Sequence, residues 1–160
     1  MHNIQFSTEA GRAKSDSTGL VALESTLISH GLPHPDNITV ATNAELAVRN
    51  AGSVPATIAV MDGVAKIGLE AVDFERLATS ANVVKLSRRN LPLALSAFAG
   101  ALPLGATTVS ATMILAHQAG IRVFATGGIG GVHRGVNDSM DISADLFELA
   151  HTPVAVVCSG

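Results

Sequence analysis

Five groups of residues in this chain have the types and spacing for chemistry on an anionic ligand. The densest is Ala125-Thr-Gly-Gly-Ile-Gly-Gly-Val-His-Arg-Gly135, with five glycines in eleven positions. Glycine brings no side chain to a core and costs backbone entropy, so such a run predicts close passage of the backbone past a ligand, with N–H groups aimed at an anion. It lacks the third glycine of a dinucleotide fingerprint, where His133 stands, and the P-loop lysine, where Val136 stands. Lys85-Leu-Ser-Arg-Arg89 places three cations and a hydroxyl in five residues, a set suited to phosphate oxygens or to a solvated turn. Glu24 directly follows an apolar run, a position suited to proton transfer or to pairing within the next loop. Asp138, Asp141 and Asp145 could offer oxygen ligands to a hard divalent ion, although Asp141 is equally well placed as a helix N-cap. Gly105-Ala-Thr-Thr-Val109 reads as a helix opening, either an anion site or an ordinary cap.

These residues fall at the joints between predicted elements. Strands are expected over 20–23, 56–61, 64–67, 82–86, 121–125 and 154–158. Helices are expected over 38–50 with Asn37 as N-cap, 70–80, 91–102, 107–119 with Gly120 as a stop, and 141–151. Strand and helix alternate, which predicts an α/β fold, a three-layer α/β/α arrangement around a largely parallel sheet. Residues 1–19 are polar and mixed and are expected to form a mobile arm, leaving 20–160 as one domain. A core-type strand is followed only by Ser159 and Gly160, so the sheet is expected to be incomplete at that end and the chain to be part of a longer protein.

Composition narrows the function. The 160 residues carry a net charge of −3 and 3% aromatics, which argues against a nucleic-acid surface. No charged residue lies between Arg89 and Arg122, but prolines and glycines interrupt the stretch, so core helices are expected rather than a membrane span. Lone Cys158 excludes an intrachain disulfide and reads as a buried, reduced thiol of a cytoplasmic protein.

Taken in order, Val21-Ala-Leu-Glu-Ser-Thr-Leu-Ile-Ser-His-Gly31, Val54-Pro-Ala-Thr-Ile-Ala59, Ser87-Arg-Arg-Asn-Leu-Pro92, Gly105-Ala-Thr-Thr-Val109, Ala125 to Gly135 and Asp141-Ile-Ser-Ala-Asp-Leu146 resemble the pseudouridine-5′-phosphate glycosidase family across nearly all of 20–160. The resemblance implies reversible cleavage of a C–C glycosidic bond to uracil and ribose 5-phosphate, through a lysine that opens the ribose as an imine. It implies Glu24 as the proton donor, Lys85 and the backbone of Val109 as substrate contacts, Ser143, Ala144 and Asp145 as a substrate-binding segment, and Asp141 as ligand to a divalent ion, typically Mn²⁺. It also implies a homo-oligomer, commonly a trimer, supplied by a sugar kinase. The stretch from Ser96 to Leu104 is longer than the family pattern and poor in charge. The nucleophilic lysine belongs just after the Cys-Ser-Gly segment; Lys14, Lys66 and Lys85 stand in other contexts, so this chain alone is expected to be inactive. Two other readings fit the same residues: a non-catalytic binding module for phosphate ligands, and another sugar-phosphate lyase or isomerase.

Overall fold

A computed structural model describes residues 4–96 and 104–160. The strands are β1 (Ile4–Phe6), β2 (Leu20–Leu23), β3 (Val54–Met61), β4 (Val64–Ile67), β5 (Val84–Leu86), β6 (Leu104–Thr107), β7 (Val123–Ala125) and β8 (Ala155–Val157). The helices are α1 (Thr8–Ser15), α2 (Asp36–Asn50), α3 (Ala71–Thr79), α4 (Leu91–Ala94), α5 (Val109–Ala119), α6 (Val136–Ser139) and α7 (Ala144–His151), with a π-helical turn at Leu27–Gly31. Five strand pairings are parallel (β1·β4, β2·β3, β2·β7, β5·β6, β7·β8) and two antiparallel (β3·β4, β3·β6). The expected α/β fold with a largely parallel sheet is what forms.

β3 is the spine. β2 pairs with its first half, from Val54 to Thr57, while β6 pairs with Ala59 to Met61. β2 runs parallel to β3 and β6 antiparallel, so the two strands point at each other and their carboxyl ends meet at Ile58. The ladder is interrupted there, and side chains complete it. Ser25 Oγ and Thr107 Oγ1 each donate to the Ile58 carbonyl at 2.6 Å, the Thr107 amide donates to Ser25 Oγ at 2.8 Å, and Thr112 Oγ1 donates to Thr107 Oγ1 at 2.9 Å. Ser25, Thr107 and Thr112 are fully buried, so every one of these polar atoms must find its partner inside the protein. β7 and β8 extend the parallel row beyond β2, and β5 extends it beyond β6. The carboxyl ends of β2, β5, β6 and β7 therefore face one gap.

The charge-free stretch resolves into β6 and α5. Val109, Ala111, Met113, Leu115 and Ala116 are buried, as are Ser110 and Thr112, because α5 lies between the sheet and α7 and is apolar around most of its circumference. Among the described residues, no helix is long and apolar enough to cross a membrane.

Several expectations change. Residues 4–15 do not form a free arm: β1 adds to β4, and α1 buries Ala10 and Ala13 behind a Ser7 cap. The polar residues of this segment line its outer side, which is why composition alone reads it as an arm. Leu104 to Thr107 is strand rather than helix start, since Gly105 must lie flat against Leu86: a Cβ there would sit 2.2 Å from Leu86 Cδ1. Asn37 does not cap α2 from outside; it lies within the first turn, and its side-chain amide donates to the carbonyls of Ile28 and Ala78. Of the helix expected over 91–102, α4 ends at Ala94 and Leu95 and Ser96 form a turn, while 97–102 lie outside the described residues. Ser143 rather than Asp141 caps α7. Cys158 is exposed, because it lies one residue past β8, beyond the packed part of the sheet.

The N-terminal unit has its own pH dependence. The Arg49 guanidinium holds Glu9 below the usual carboxylate range, and the Thr8 amide and hydroxyl do the same to Glu70. A lowered native pKa contributes stability that is complete above the unfolded value, about 4.3, and is lost as pH falls through the native value. Amide protection of α1 should therefore hold from neutrality to about pH 4.3 and then fall before that of β3. Hydrogen exchange over a pH series tests this; simultaneous loss in α1 and β3 would contradict it.

Candidate active site

The gap between the opposed strand ends is a pocket of about 380 Å³. All seven residues to which the family resemblance gives roles line it: Glu24, Lys85, Val109, Asp141, Ser143, Ala144 and Asp145. Thr26, Ser87, Arg89, Thr108, Gly128, Gly130, His133 and Ile142 join them.

Glu24 leaves β2 one residue beyond Leu23, which pairs in register with Ala125 of β7. The next residues along the two strands, Glu24 and Thr126, are therefore neighbours. Thr126 Oγ1 donates to one carboxylate oxygen of Glu24 and Thr26 Oγ1 to the other. Two hydroxyls thus fix the plane of a half-buried carboxylate at the pocket wall. Neither threonine is evident from spacing alone; the signal is the parallel register, which sequence does not display.

Lys85, Ser87 and Arg89 come from the end of β5. Asn90 staples that turn, its Oδ1 accepting from the Ser87 amide at 2.7 Å and its Nδ2 donating to the Lys85 carbonyl at 3.0 Å. The three cations expected here divide. Lys85 and Arg89 face the pocket, and Arg89 also donates to the Ile142 carbonyl at 3.1 Å. Arg88 turns away to the buried Glu148 carboxylate at 2.8 Å and lies over the Phe147 ring. Two cations at one rim of a pocket suit a phosphate.

The glycine run works differently from its sequence reading. The Gly130 amide does bind an anion, but that anion is the Asp145 carboxylate, at 2.9 Å. The other Asp145 oxygen accepts from the Ser110 amide, also at 2.9 Å, and so supplies the cap that Thr108 does not give α5. Gly130 has to be glycine for this: a Cβ would lie 2.2 Å from Ser143 Oγ and 2.9 Å from Asp145 Oδ2. Gly128 passes close to the Gly160 carbonyl, whereas a Cβ on Gly127 or Gly131 would meet nothing within 4 Å. Thr107, weighed as an anion contact, is instead buried in the Ser25 cluster, and Arg134 lies outside the pocket lining.

Asp141 is exposed at the rim, with His133 Nδ1 at 2.6 Å from its Oδ2. Because α7 starts at Ala144, Asp141 and Asp145 do not share a helix face. Among the described residues, no three His, Cys, Asp or Glu side chains come together as a metal cage. One rim carboxylate with an unpaired oxygen does fit a hydrated hard ion that takes its other ligands from water and substrate.

Residues 9–160 match the family model described as Indigoidine synthase A like protein. A pseudouridine-5′-phosphate glycosidase of Geobacillus kaustophilus is 56% identical over 157 residues, covering 98% of this chain and 51% of the relative. One from Staphylococcus aureus is 53% identical, covering 98% and 50%. Among solved structures, the prealnumycin C-glycosynthase AlnA in complex with ribulose 5-phosphate superposes with a TM-score of 0.86 at 40% identity, over 99% of this chain and 50% of that one. An indigoidine synthase A-like protein of Thermotoga maritima gives 0.84 at 30% identity, with the same coverage. The chain thus spans about half the length of the relatives it matches.

Proposed function

The chain belongs to the Indigoidine synthase A like family, and from that membership we propose that it carries the sugar-phosphate and proton-transfer half of a pseudouridine-5′-phosphate glycosidase. The observation that carries the reading is the convergence of Glu24, Lys85, Arg89 and Asp141 on one pocket at opposed strand ends. The names of the curated relatives and the ribulose 5-phosphate bound to the C-glycosynthase support it.

In this reading Lys85 and Arg89 hold the 5′-phosphate, and Val109 with the 143–145 segment borders the ribose. An amine displaces the ring oxygen from C1′ and opens the sugar. Glu24, aligned by Thr26 and Thr126, donates a proton to the uracil carbon as the nitrogen lone pair expels uracil, leaving an imine that water hydrolyses to ribose 5-phosphate. The amine is not Lys85, whose place is at the phosphate. Lys14 Nζ donates to the Ala119 carbonyl and Lys66 pairs with Asp73, both outside the pocket lining. By family resemblance the nucleophilic lysine follows the Cys-Ser-Gly segment, outside residues 1–160. Asp141 would hold the divalent ion, Mn²⁺ by family resemblance, which when bound adds positive charge beside the substrate. A cytoplasmic homo-oligomer, a trimer, is part of the same reading.

Titration of this chain with ribose 5-phosphate in the presence of Mn²⁺ should show binding that Lys85→Ala weakens by at least about tenfold. Sodium cyanoborohydride should trap no sugar on Lys85, read by mass spectrometry. A trapped adduct at Lys85 would make it the nucleophile and overturn the assignment. Unchanged affinity in Lys85→Ala would remove the phosphate from this rim. Turnover of a non-nucleotide sugar phosphate, without any uracil release by the complete protein, would favour a lyase or isomerase.

A further inference from the structure

α7 buries two residues, and both are carboxylates, Asp145 and Glu148. Three positions apart on one helix, they share its inner face. Asp145 reaches α5 and the glycine run. Glu148 reaches the turn that follows β5. Its Oε2 lies 2.8 Å from Arg88 Nη1, and its Oε1 accepts from Thr152 Oγ1. Glu148 is 2% exposed, and a carboxylate so buried requires partners for its charge. Arg88 Cζ also lies 4.2 Å from the centre of the Phe147 ring, so the guanidinium rests on α7 as well as pairing with it. Neither Arg88 nor Glu148 lines the active-site pocket, yet Arg88 stands between Ser87 and Arg89, which do.

We propose that Arg88 and Glu148 are positioning residues: their ion pair sets the distance between the cationic rim, Lys85 and Arg89, and the 141–145 wall, so that a sugar phosphate meets both at once. The proposal rests on the glycosidase reading of the pocket. The turn after β5 is rigid in itself, because Asn90 bonds the Ser87 amide and the Lys85 carbonyl, but those bonds leave open where the turn sits relative to α7. Three ties fix that. The Arg88 amide donates to Ser110 Oγ at a long 3.3 Å, Arg89 Nη2 donates to the Ile142 carbonyl at 3.1 Å, and the Arg88 guanidinium pairs with Glu148. An Arg89 fork that turns to a phosphate gives up part of its hold on Ile142. The Arg88–Glu148 pair lies outside the pocket lining and keeps its hold whether or not ligand is bound. With one partner buried it is also less screened than a surface pair. A rim held in place before the ligand arrives spares the cost of ordering it on binding.

The test is titration of the chain with ribose 5-phosphate and Mn²⁺, beside thermal unfolding of the same samples. Arg88→Met should weaken binding by about tenfold through lost preorganisation, and lower the unfolding midpoint by leaving Glu148 buried and unpaired. The double variant Arg88→Met/Glu148→Met exchanges the pair for apolar side chains and should recover the midpoint. Its affinity should stay low, because apolar packing lacks the direction of an ion pair; a merely structural role would restore both together. Arg88→Lys keeps a charge on Glu148 and should recover most of the affinity lost in Arg88→Met. Native affinity in either methionine variant overturns the proposal, the double variant deciding the matter if Arg88→Met does not fold. Arg88→Lys binding as weakly as Arg88→Met also overturns it, since the charge pair would then not be what places the rim. If the native chain binds no ribose 5-phosphate, the glycosidase reading falls and this proposal with it; native binding that the variants leave unchanged removes this proposal alone.

Discussion

Glu24→Gln in the catalytically complete protein is expected to lower uracil release from pseudouridine 5′-phosphate by about 10²–10⁴-fold, the usual contribution of a positioned acid or base. The substitution keeps the shape and leaves an oxygen to accept from Thr26 or Thr126, but removes the group that exchanges a proton. Ribose 5-phosphate affinity should stay within about threefold, because in the proposed reading Lys85 and Arg89, not Glu24, hold the phosphate. Thr126→Val should cost less, about tenfold, as it removes one orienting hydrogen bond and leaves the carboxylate in place. The measurements are single-turnover release and ligand titration on the same preparations. Weakened sugar binding with an unchanged release rate would make Glu24 a sugar ligand and end its role as proton donor.

The second large effect is structural. Asp145→Ala should destabilise the chain by about 2–4 kcal/mol, because it strands the buried amide of Ser110 and the part-buried amide of Gly130 at once. For a domain of this size the midpoint of thermal unfolding should drop by about 5–15 °C. Asp145→Asn retains one acceptor oxygen and should fall between Ala and the native residue. Gly130→Ala should approach the Ala value at 145, since its new methyl group displaces the same carboxylate. Ser143→Ala removes a weaker contact, at 3.2 Å to the Asp145 amide, and should cost about 1 kcal/mol. A near-native midpoint for Asp145→Ala combined with lost ribose 5-phosphate binding would return Asp145 to the substrate-contact role implied by family resemblance.

The residues of the site were more legible than the way they are held. Apolar runs ending at Leu23 and Ala125 mark strand ends, and chemistry-bearing residues after strand ends mark a pocket, so Glu24 and the glycine run could be found without a structure. What periodicity hides is register and direction. Nothing local in Leu104–Thr107 says that it runs antiparallel to β3, because an apolar stretch with threonines reads equally well as a helix start; its pairing with Ala59 to Met61 decides the matter. The antiparallel approach is what brings β5, which carries Lys85, and β6, with Val109 beyond it, to face Glu24. The glycine run was legible as anion-binding, but not that the anion is Asp145, fifteen residues on. The N-terminal segment was misread because α1 buries only two alanines, a signal too small for composition to register.

The meeting of β2 and β6 at Ile58 places a constraint on how the chain can vary. Glu24, Ser25 and Thr26 alternate between pocket and seam: the first and third reach the ligand side, and the middle one closes the break in the ladder. Inserting or deleting one residue there would swing the carboxylate into the buried seam and leave the Ile58 carbonyl without its hydroxyl. A one-residue length change should therefore be tolerated at the exposed turn around Leu32 to Pro35, where the backbone can absorb it without moving the acid, and not within this tripeptide.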